Sequence, residues 1–383
     1  MAWTSYQLSL AFMMVITGSI NTLSTKWADD LKSVGRDGTL RAFDHPFMQA
    51  SSMFLGEILC LVTFKIMYFI YSKQGVENEK ALTKGNRNFN PFILFIPAMC
   101  DMTATSIMYV GLTMTYASSF QMFRGSVIIF VGLLSVGFLE RILKKREWAG
   151  IFMVIVGLTT VGAADFMFSP KGEDNPDRNS IITGDILIII AQVITAIQMV
   201  VEEKFVTGQD IPPLQAVGWE GLFGFIVLSL LQIPFYFIHV GPPFSNNSRG
   251  VLEDAIEGFI QIGNNWRLFF AIMGTIISIA FFNFAGISVT KEMSATSRMV
   301  LDSVRTIVIW IVGLLFMHQS FIWLQLFGFI ALLIGMCLYN GITCRSVIIR
   351  LRMLYTRIRY GSMQDEVIIN TPADQADDPI IFA

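Results

Sequence analysis

An all-α polytopic membrane protein, with ten transmembrane helices arranged as two inverted five-helix repeats, is the fold this sequence predicts. Three observations lead there. Of 383 residues, 54% are hydrophobic and only 15% charged, against roughly 25% charged in soluble domains. Ten segments each supply the roughly 20 apolar residues that a hydrocarbon core of about 30 Å demands of a helix. Finally, two stretches lying 177 residues apart look like copies of one another.

The copies run from Ala117 to Met122 and from Ser294 to Met299, and Ser126-Val127 falls on Ser303-Val304 at the same offset. Further on, Gly150 and Gly157 fall on Gly328 and Gly335, and Lys26 falls on Lys204. A looser echo sets Gly111 to Thr115 over Gly286 to Thr290. Each match is weak alone, because small residues recur in any apolar helix; the near-constant offset gives them weight. The repeat spans five helices. An odd number inserts the second copy upside down, an arrangement that recurs in secondary transporters.

The ten segments are approximately 6–27, 46–71, 91–114, 117–139, 148–168, 181–203, 214–239, 268–290, 294–317 and 321–343. Residues 1–168 form the first half and 181–343 the second. The first segment lacks the basic leader and small-residue cleavage site of a signal peptide, and Asn21, Lys26 and Trp27 follow its apolar run. A retained helix is expected. Loops on the side holding both termini, with the tail to Arg359, carry 15 Lys and Arg, against 7 in the opposite loops. Basic loops stay cytosolic, so both termini are expected in the cytosol. The sequon Asn246-Asn247-Ser248 then falls in a luminal loop, where Asn246 is open to glycosylation.

In that loop, 240–267, Leu252, Ala255, Ile256, Phe259 and Ile260 recur at helical spacing, with Glu253, Asp254 and Glu257 on the other side. A short helix lying on the membrane or capping the bundle fits. After the tenth span, residues 344–360 read as a basic amphipathic helix lying against anionic lipid, with Val347, Leu351, Leu354 and Ile358 on one face. Residues 361–383 are polar and acidic, with the composition of a disordered cytosolic tail. Tyr360-Gly-Ser-Met363 fits the tyrosine-x-x-bulky pattern of endocytic and lysosomal sorting, as does Tyr355 to Ile358. That pattern also recurs by chance.

Ionisable groups inside a bilayer are costly, so each is a functional candidate. Arg298, Asp302 and Arg305 stand at i, i+4 and i+7 in the ninth segment, on one helical face. Asp302 can pair with either arginine, leaving one positive charge to meet a carboxylate or phosphate. The alternative is a buried triad that locks helices together. The two readings are compatible. In the first copy, Gln121 and Gly125 stand where the second has Arg298 and Asp302, with Arg124 beside them. Such asymmetry suits a solute with one anionic and one less polar end. Arg124 faces the cavity or snorkels to the interface. Lys26 is a further candidate. Glu57, Asp101 and Glu220 are lone acids in the second, third and seventh segments. Each either relays a coupling proton or pairs with a basic residue, for instance Glu57 or Glu220 with Lys26 or Arg124.

A net charge of −2 argues against a nucleic-acid partner. No P-loop and no paired aspartates of an intramembrane protease are present. Three histidines and four scattered cysteines give no metal spacing and no disulfide framework. Nothing in the sequence points to an enzyme or a cofactor.

The run from Gly286 to Thr306 (GISVTKEMSATSRMVLDSVRT) is similar to the junction of the eighth and ninth helices in the drug/metabolite transporter superfamily. With Ala117 to Gly125 (ASSFQMFRG) and the opening MAWTSYQL, it resembles the F subfamily of solute carrier family 35, from Met1 to about Gly341. The resemblance implies a ten-helix inverted-repeat fold, with substrate contacts on the fourth and ninth helices. Relatives exchange nucleotide sugars in the Golgi and endoplasmic reticulum, but the Asn-rich and Gly-Ala-Leu-Asn-Lys signatures of those members are missing here. Proteins similar to this one are associated with lysosomal membranes and mitochondria, and with adenine nucleotide translocase as a partner.

Two functions follow as expectations. One is a secondary transporter or exchanger of a small, anionic organic solute. It would act in an intracellular organelle membrane, the lysosome ahead of mitochondrion or Golgi, with lipid and a homodimer among its partners. The other is a non-transporting scaffold that acts through protein partners in cell survival or mitochondrial integrity.

Overall fold

The computed structural model describes residues 4–74, 83–138, 142–168, 178–240, 249–293 and 323–339, with 298, 301, 302, 304–306, 308, 309, 311 and 312. Asn246, Tyr360, Met363 and the segments 344–360 and 361–383 lie outside the described residues. The chain runs α1 (Ser5–Asp30), β1 (Lys32–Val34), β2 (Leu40–Ala42), α2 (Pro46–Gln74), a 3-10 turn (Pro91–Leu94) and α3 (Phe95–Met114). It continues through α4 (Ala117–Arg124), α5 (Val127–Phe138), α6 (Lys145–Phe168), α7 (Arg178–Glu202), a π-helical turn (Glu203–Thr207) and α8 (Pro213–Phe235). Then come α9 (Ala255–Asn264), α10 (Trp266–Glu292) and α11 (Trp323–Tyr339).

Helix starts follow local chemistry. Thr4 and Gln7 form a reciprocal capping box at α1. Asn90 caps the 3-10 turn, Asn265 caps α10, and Pro213 opens α8, where no backbone donor is needed. Among the described residues, seven helices are long and apolar enough to cross a bilayer. Two shorter apolar stretches are Met122–Phe138, which takes in the end of α4 and all of α5, and Trp323–Tyr339. In the expected segment 294–317, every described position between 298 and 312 is helical.

The structure departs from expectation in three places. The span expected over 117–139 is broken. Gly125 and Ser126 turn back onto Met122 and Phe123 carbonyls, each bond 3.0 Å, and separate α4 from α5. Second, the expected all-α description misses a hairpin in the loop 28–45. There β1 and β2 pair antiparallel, with Ser33 opposite Arg41. Gly38 takes φ 76° in the turn, and Asp37 accepts bonds from the Thr39 amide at 3.1 Å and hydroxyl at 2.7 Å. Those bonds, with Arg41 nearby, hold the Asp37 carboxyl below its ordinary range. Third, α7 does not stop at residue 203: the π turn carries the span on to Val206.

Four helix pairings dominate the packing: α1 with α10, α3 with α7, α2 with α8, and α6 with α11. Lipid tails are as apolar as side chains, so close backbone approach through small residues matters more in a membrane than hydrophobic burial does. The α6–α11 seam is built that way. A Cβ on Gly150 would lie 2.7 Å from the Gly335 carbonyl oxygen, and one on Gly157 would lie 2.7 Å from that of Gly328. Outward faces carry Phe12, Phe152, Leu230 and Phe270, all exposed and all suited to lipid.

The hairpin and α9 form a cap. Ser33 Oγ donates to the Gln261 carbonyl at 2.7 Å, and Asn264 and Asn265 donate to the Val34 and Lys32 carbonyls at 2.9 and 3.0 Å. The expected amphipathic helix is present as α9. Its polar face is the one turned inward, with Glu257 and Gln261 buried and Ile256 and Phe259 exposed. Beside it, Glu253 Oε1 meets His45 Nδ1 at 2.7 Å, while Oε2 accepts the amides of Phe47 and Met48 in the first turn of α2. Burial works to lower the His45 pKa. The hydrogen bond and charge of Glu253, helped by Asp44 and Glu257, outweigh it and raise the pKa above the ordinary imidazole value.

Candidate functional site

A cavity in the bundle collects charged groups from elements far apart in sequence. Its wall includes Glu57 of α2, Asp101 of α3, Arg124 of α4, Glu202 of α7 and Glu220 of α8. Arg298, Asp302 and Arg305 come from the helical positions after α10, and Phe120, Tyr109 and Phe282 supply aromatic faces. The cavity volume is ≈ 80 Å³, on the order of six waters at ~10–15 Å³ each. In this conformation it suits a small solute.

The charges are organised in two places. Asp302 is held between two arginines: Arg305 Nη2 lies 2.8 Å from its Oδ1 and Arg124 Nη2 lies 3.6 Å from its Oδ2. Arg305 is almost fully buried and stacks over Phe282, 4.7 Å from the ring centroid. Arg124 ends α4 at the Gly125 break, where the helix dipole favours a cation. Two guanidiniums on one carboxylate leave one positive charge in surplus.

The second place is acidic. Arg298 does not pair with Asp302, as its spacing allowed. Its Nη1 lies 2.9 Å from Glu202 Oε2, and Gln198 donates to Glu202 Oε1 at 2.7 Å. Around this pair stand Glu57, Asp101 and Glu220, on three other helices. Asn283 donates to Glu57 Oε1, and Thr105 donates to Asp101 at 3.1 Å. The expected pairing of Glu57 or Glu220 with Lys26 or Arg124 is not made.

Two glycines make room for the guanidiniums. A Cβ on Gly18 of α1 would lie 2.7 Å from Arg305 Cδ and from the Phe282 ring, and one on Gly286 of α10 would lie 2.9 Å from Arg298 Nε. These close approaches keep both arginines folded against helix backbones.

Of the expected binding residues, Arg124, Arg298, Asp302 and Arg305 share the cavity, with the acids Glu57, Asp101 and Glu220. Lys26 does not line it: its Nζ donates to the Leu112 carbonyl at 3.4 Å. Gly125 lies in a small adjoining hollow with Val127, Thr306 and Met336. Gln121 belongs to α4, but its side chain falls outside the described residues. Glu202 is the residue that sequence reasoning did not single out. It is buried in the wall, because the π turn extends α7 beyond it. The signal was Thr195, Gln198 and Glu202, which recur at i, i+3 and i+7 on one face and all line the cavity. Asn21 and Asn283 line it too.

Comparison with known proteins fits this geometry. Residues 39–239 match the family model described as solute carrier family 35, and residues 182–341 match the EamA-like transporter family. The chain is 54% identical over 343 residues to human solute carrier family 35 member F6, covering 89% of this chain and 91% of that one. It is 53% identical to the mouse protein of the same name, covering 89% and 90%. It is also 31% identical to an uncharacterized protein of Schizosaccharomyces pombe, covering 87% of this chain and 97% of the yeast one. A solved crystal structure at 12% identity superposes with a TM-score of 0.54, covering 90% of this chain and all of that one, which is a likeness of fold alone. The protein is an integral membrane protein of a solute-transporter lineage, and it belongs to the F branch of solute carrier family 35.

Proposed function

We propose that this protein is a secondary carrier that moves a small organic solute with an anionic group across an intracellular organelle membrane by alternating access. The observation that carries the reading is the charged cavity. Its wall draws on helices from both ends of the chain, and it keeps a surplus guanidinium beside Asp302. Burying five carboxyls and three guanidiniums is costly, and structure alone is poorly served by that cost. Glu57, Asp101 and Glu220 would take up the coupling proton.

The moving parts would be two inverted five-helix halves, residues 1–168 and 181–343. The packing supports this. Exchanging first-half for second-half helices turns the α1–α10 pairing into the α7–α3 pairing, and leaves α2–α8 and α6–α11 as they are. The EamA-like match over residues 182–341 nearly coincides with the second half. Broken α4–α5 and the π turn after α7 both flank the cavity, where transporters place helix discontinuities. Loop charge supports cytosolic termini, and the Tyr360 motif supports a lysosomal address.

A second reading is favoured by one observation. Arg298 is already paired with Glu202, and Asp302 with Arg124 and Arg305, as expected of a sealed scaffold that works through partners such as adenine nucleotide translocase. Reconstitution in liposomes with a metabolite library separates the two. On the carrier reading the wild type accumulates at least one solute, and Arg298→Ala and Arg305→Ala lose that uptake. Uptake of no solute, with both variants keeping cellular function, would sink it.

A further inference from the structure

The carrier reading leaves open what the acidic end of the cavity holds, and the inference here rests on that reading. The pairings divide the wall unevenly. Arg298 and Glu202 neutralise each other, and the Arg124–Asp302–Arg305 group is one positive charge in excess. No ion pair joins Glu57, Asp101 or Glu220 to a basic side chain among the described residues. These three acids come from α2, α3 and α8, so no helical repeat or shared face explains their convergence. They meet only because the bundle brings them to one cavity.

The orphaned atoms say what is wanted there. Glu57 and Glu220 are 1% and 3% exposed. Glu57 Oε2 and Glu220 Oε1, both buried, have no hydrogen-bond partner among the described residues. Carboxylate oxygens accept and do not donate, so both call for a donor. A proton on either acid relieves its charge but adds an O–H that itself needs an acceptor. An ammonium brings three N–H donors and one positive charge, so it can serve acids on several helices at once. Asn283 and Thr105 already orient one oxygen each of Glu57 and Asp101, leaving the other acceptors to the solute.

We propose that the solute is dipolar: a cationic amine seated among Glu57, Asp101 and Glu220, and an anionic group at the Arg124–Asp302–Arg305 group. The same acids hold protons when the solute has left. Arrival of the ammonium displaces them, which makes amine entry and proton exit opposite halves of one cycle.

The test uses the full chain purified in detergent and three probes of equal length: putrescine, 4-aminobutanoate and succinate. They carry two cationic ends, one of each sign, and two anionic ends. Binding is read as ligand-dependent thermal stabilisation. The expected result is half-saturation about tenfold lower for 4-aminobutanoate than for succinate, the equivalent of one charged hydrogen bond. Glu220→Gln should erase that preference, and Arg124→Gln should shift it toward putrescine. Succinate binding as well as 4-aminobutanoate, or no stabilisation by any of the three, overturns the proposal. Counterflow in liposomes tests the carrier reading separately. Selective binding without counterflow overturns the carrier but leaves the solute class; succinate counterflow keeps the carrier and overturns the class.

Discussion

Replacing Arg298 with methionine preserves length and apolar stem while removing the cation from Glu202. At 2.9 Å, the gross attraction is about 6 kcal/mol for an effective dielectric of about 20. Desolvation cancels part of that, and breaking one side of a buried pair costs about 3–5 kcal/mol because the remaining charge is stranded. Gln198 still donates to Glu202 at 2.7 Å. A retained bond to a charged group is worth about 1.5–3 kcal/mol, which puts the expected loss near the lower limit, about 3 kcal/mol. Equilibrium unfolding in mixed micelles, followed by tryptophan fluorescence, measures it. Adding Glu202→Leu to Arg298→Met should recover most of the loss, giving a coupling energy above about 2 kcal/mol in the cycle. A single-variant loss near the ~0.6 kcal/mol typical of interhelical hydrogen bonds in membranes, or a double variant no better than the sum of the singles, would refute the reasoning.

Other outcomes follow from the same structure. Gly157→Leu drives a side chain into the Gly328 carbonyl, 2.7 Å from the Cβ position, and should destabilise by about 3 kcal/mol, at the upper end of overpacking; a change within measurement error would deny the α6–α11 seam. Gly18→Ala, aimed at Arg305, should lose about 1–2 kcal/mol and disturb solute affinity more than folding. Equal affinity in transport assays would show that the guanidinium simply moves aside. His45 has a raised pKa through Glu253. Its pair therefore contributes fully below the ordinary histidine value of about 6.5 and fades as pH rises through the folded value. The midpoint difference between wild type and His45→Gln should be largest in acid and shrink toward alkaline pH. A difference that grows with pH would reverse the sign and remove the ion pair.

Much of the architecture was legible because membrane spans are written in composition. Length and hydropathy placed most helices to within a few residues, and the repeat offset pointed to the glycines of the α6–α11 seam. The hairpin was not legible: Lys32–Val34 and Leu40–Ala42 are three residues each, too short to display alternation. At the site, spacing put Arg298, Asp302 and Arg305 on one face, but a helical repeat speaks only of neighbours along one helix. It offered Arg298 an aspartate four residues away, while the bundle offered Glu202 from α7. Glu202 itself was hidden by its setting, since Glu202-Glu203-Lys204 reads as the charged end of a span. Only the π turn, which no periodicity announces, keeps it inside.

The glycine seam has a history implied in it. If the halves are related by inversion, Gly150 corresponds to Gly328 and Gly335 to Gly157, so the Gly150–Gly335 contact becomes the Gly157–Gly328 contact when the halves trade places. Such a contact needs no second gene. A five-helix ancestor able to insert in both orientations could close this seam against its own copy, and every substitution there would have struck both glycine crossings together. On that reading, fusion of the copies would have ended that double jeopardy: either helix could then be altered while the other stayed as it was, the same freedom that Arg298 and Asp302 would have needed to part from Gln121 and Gly125.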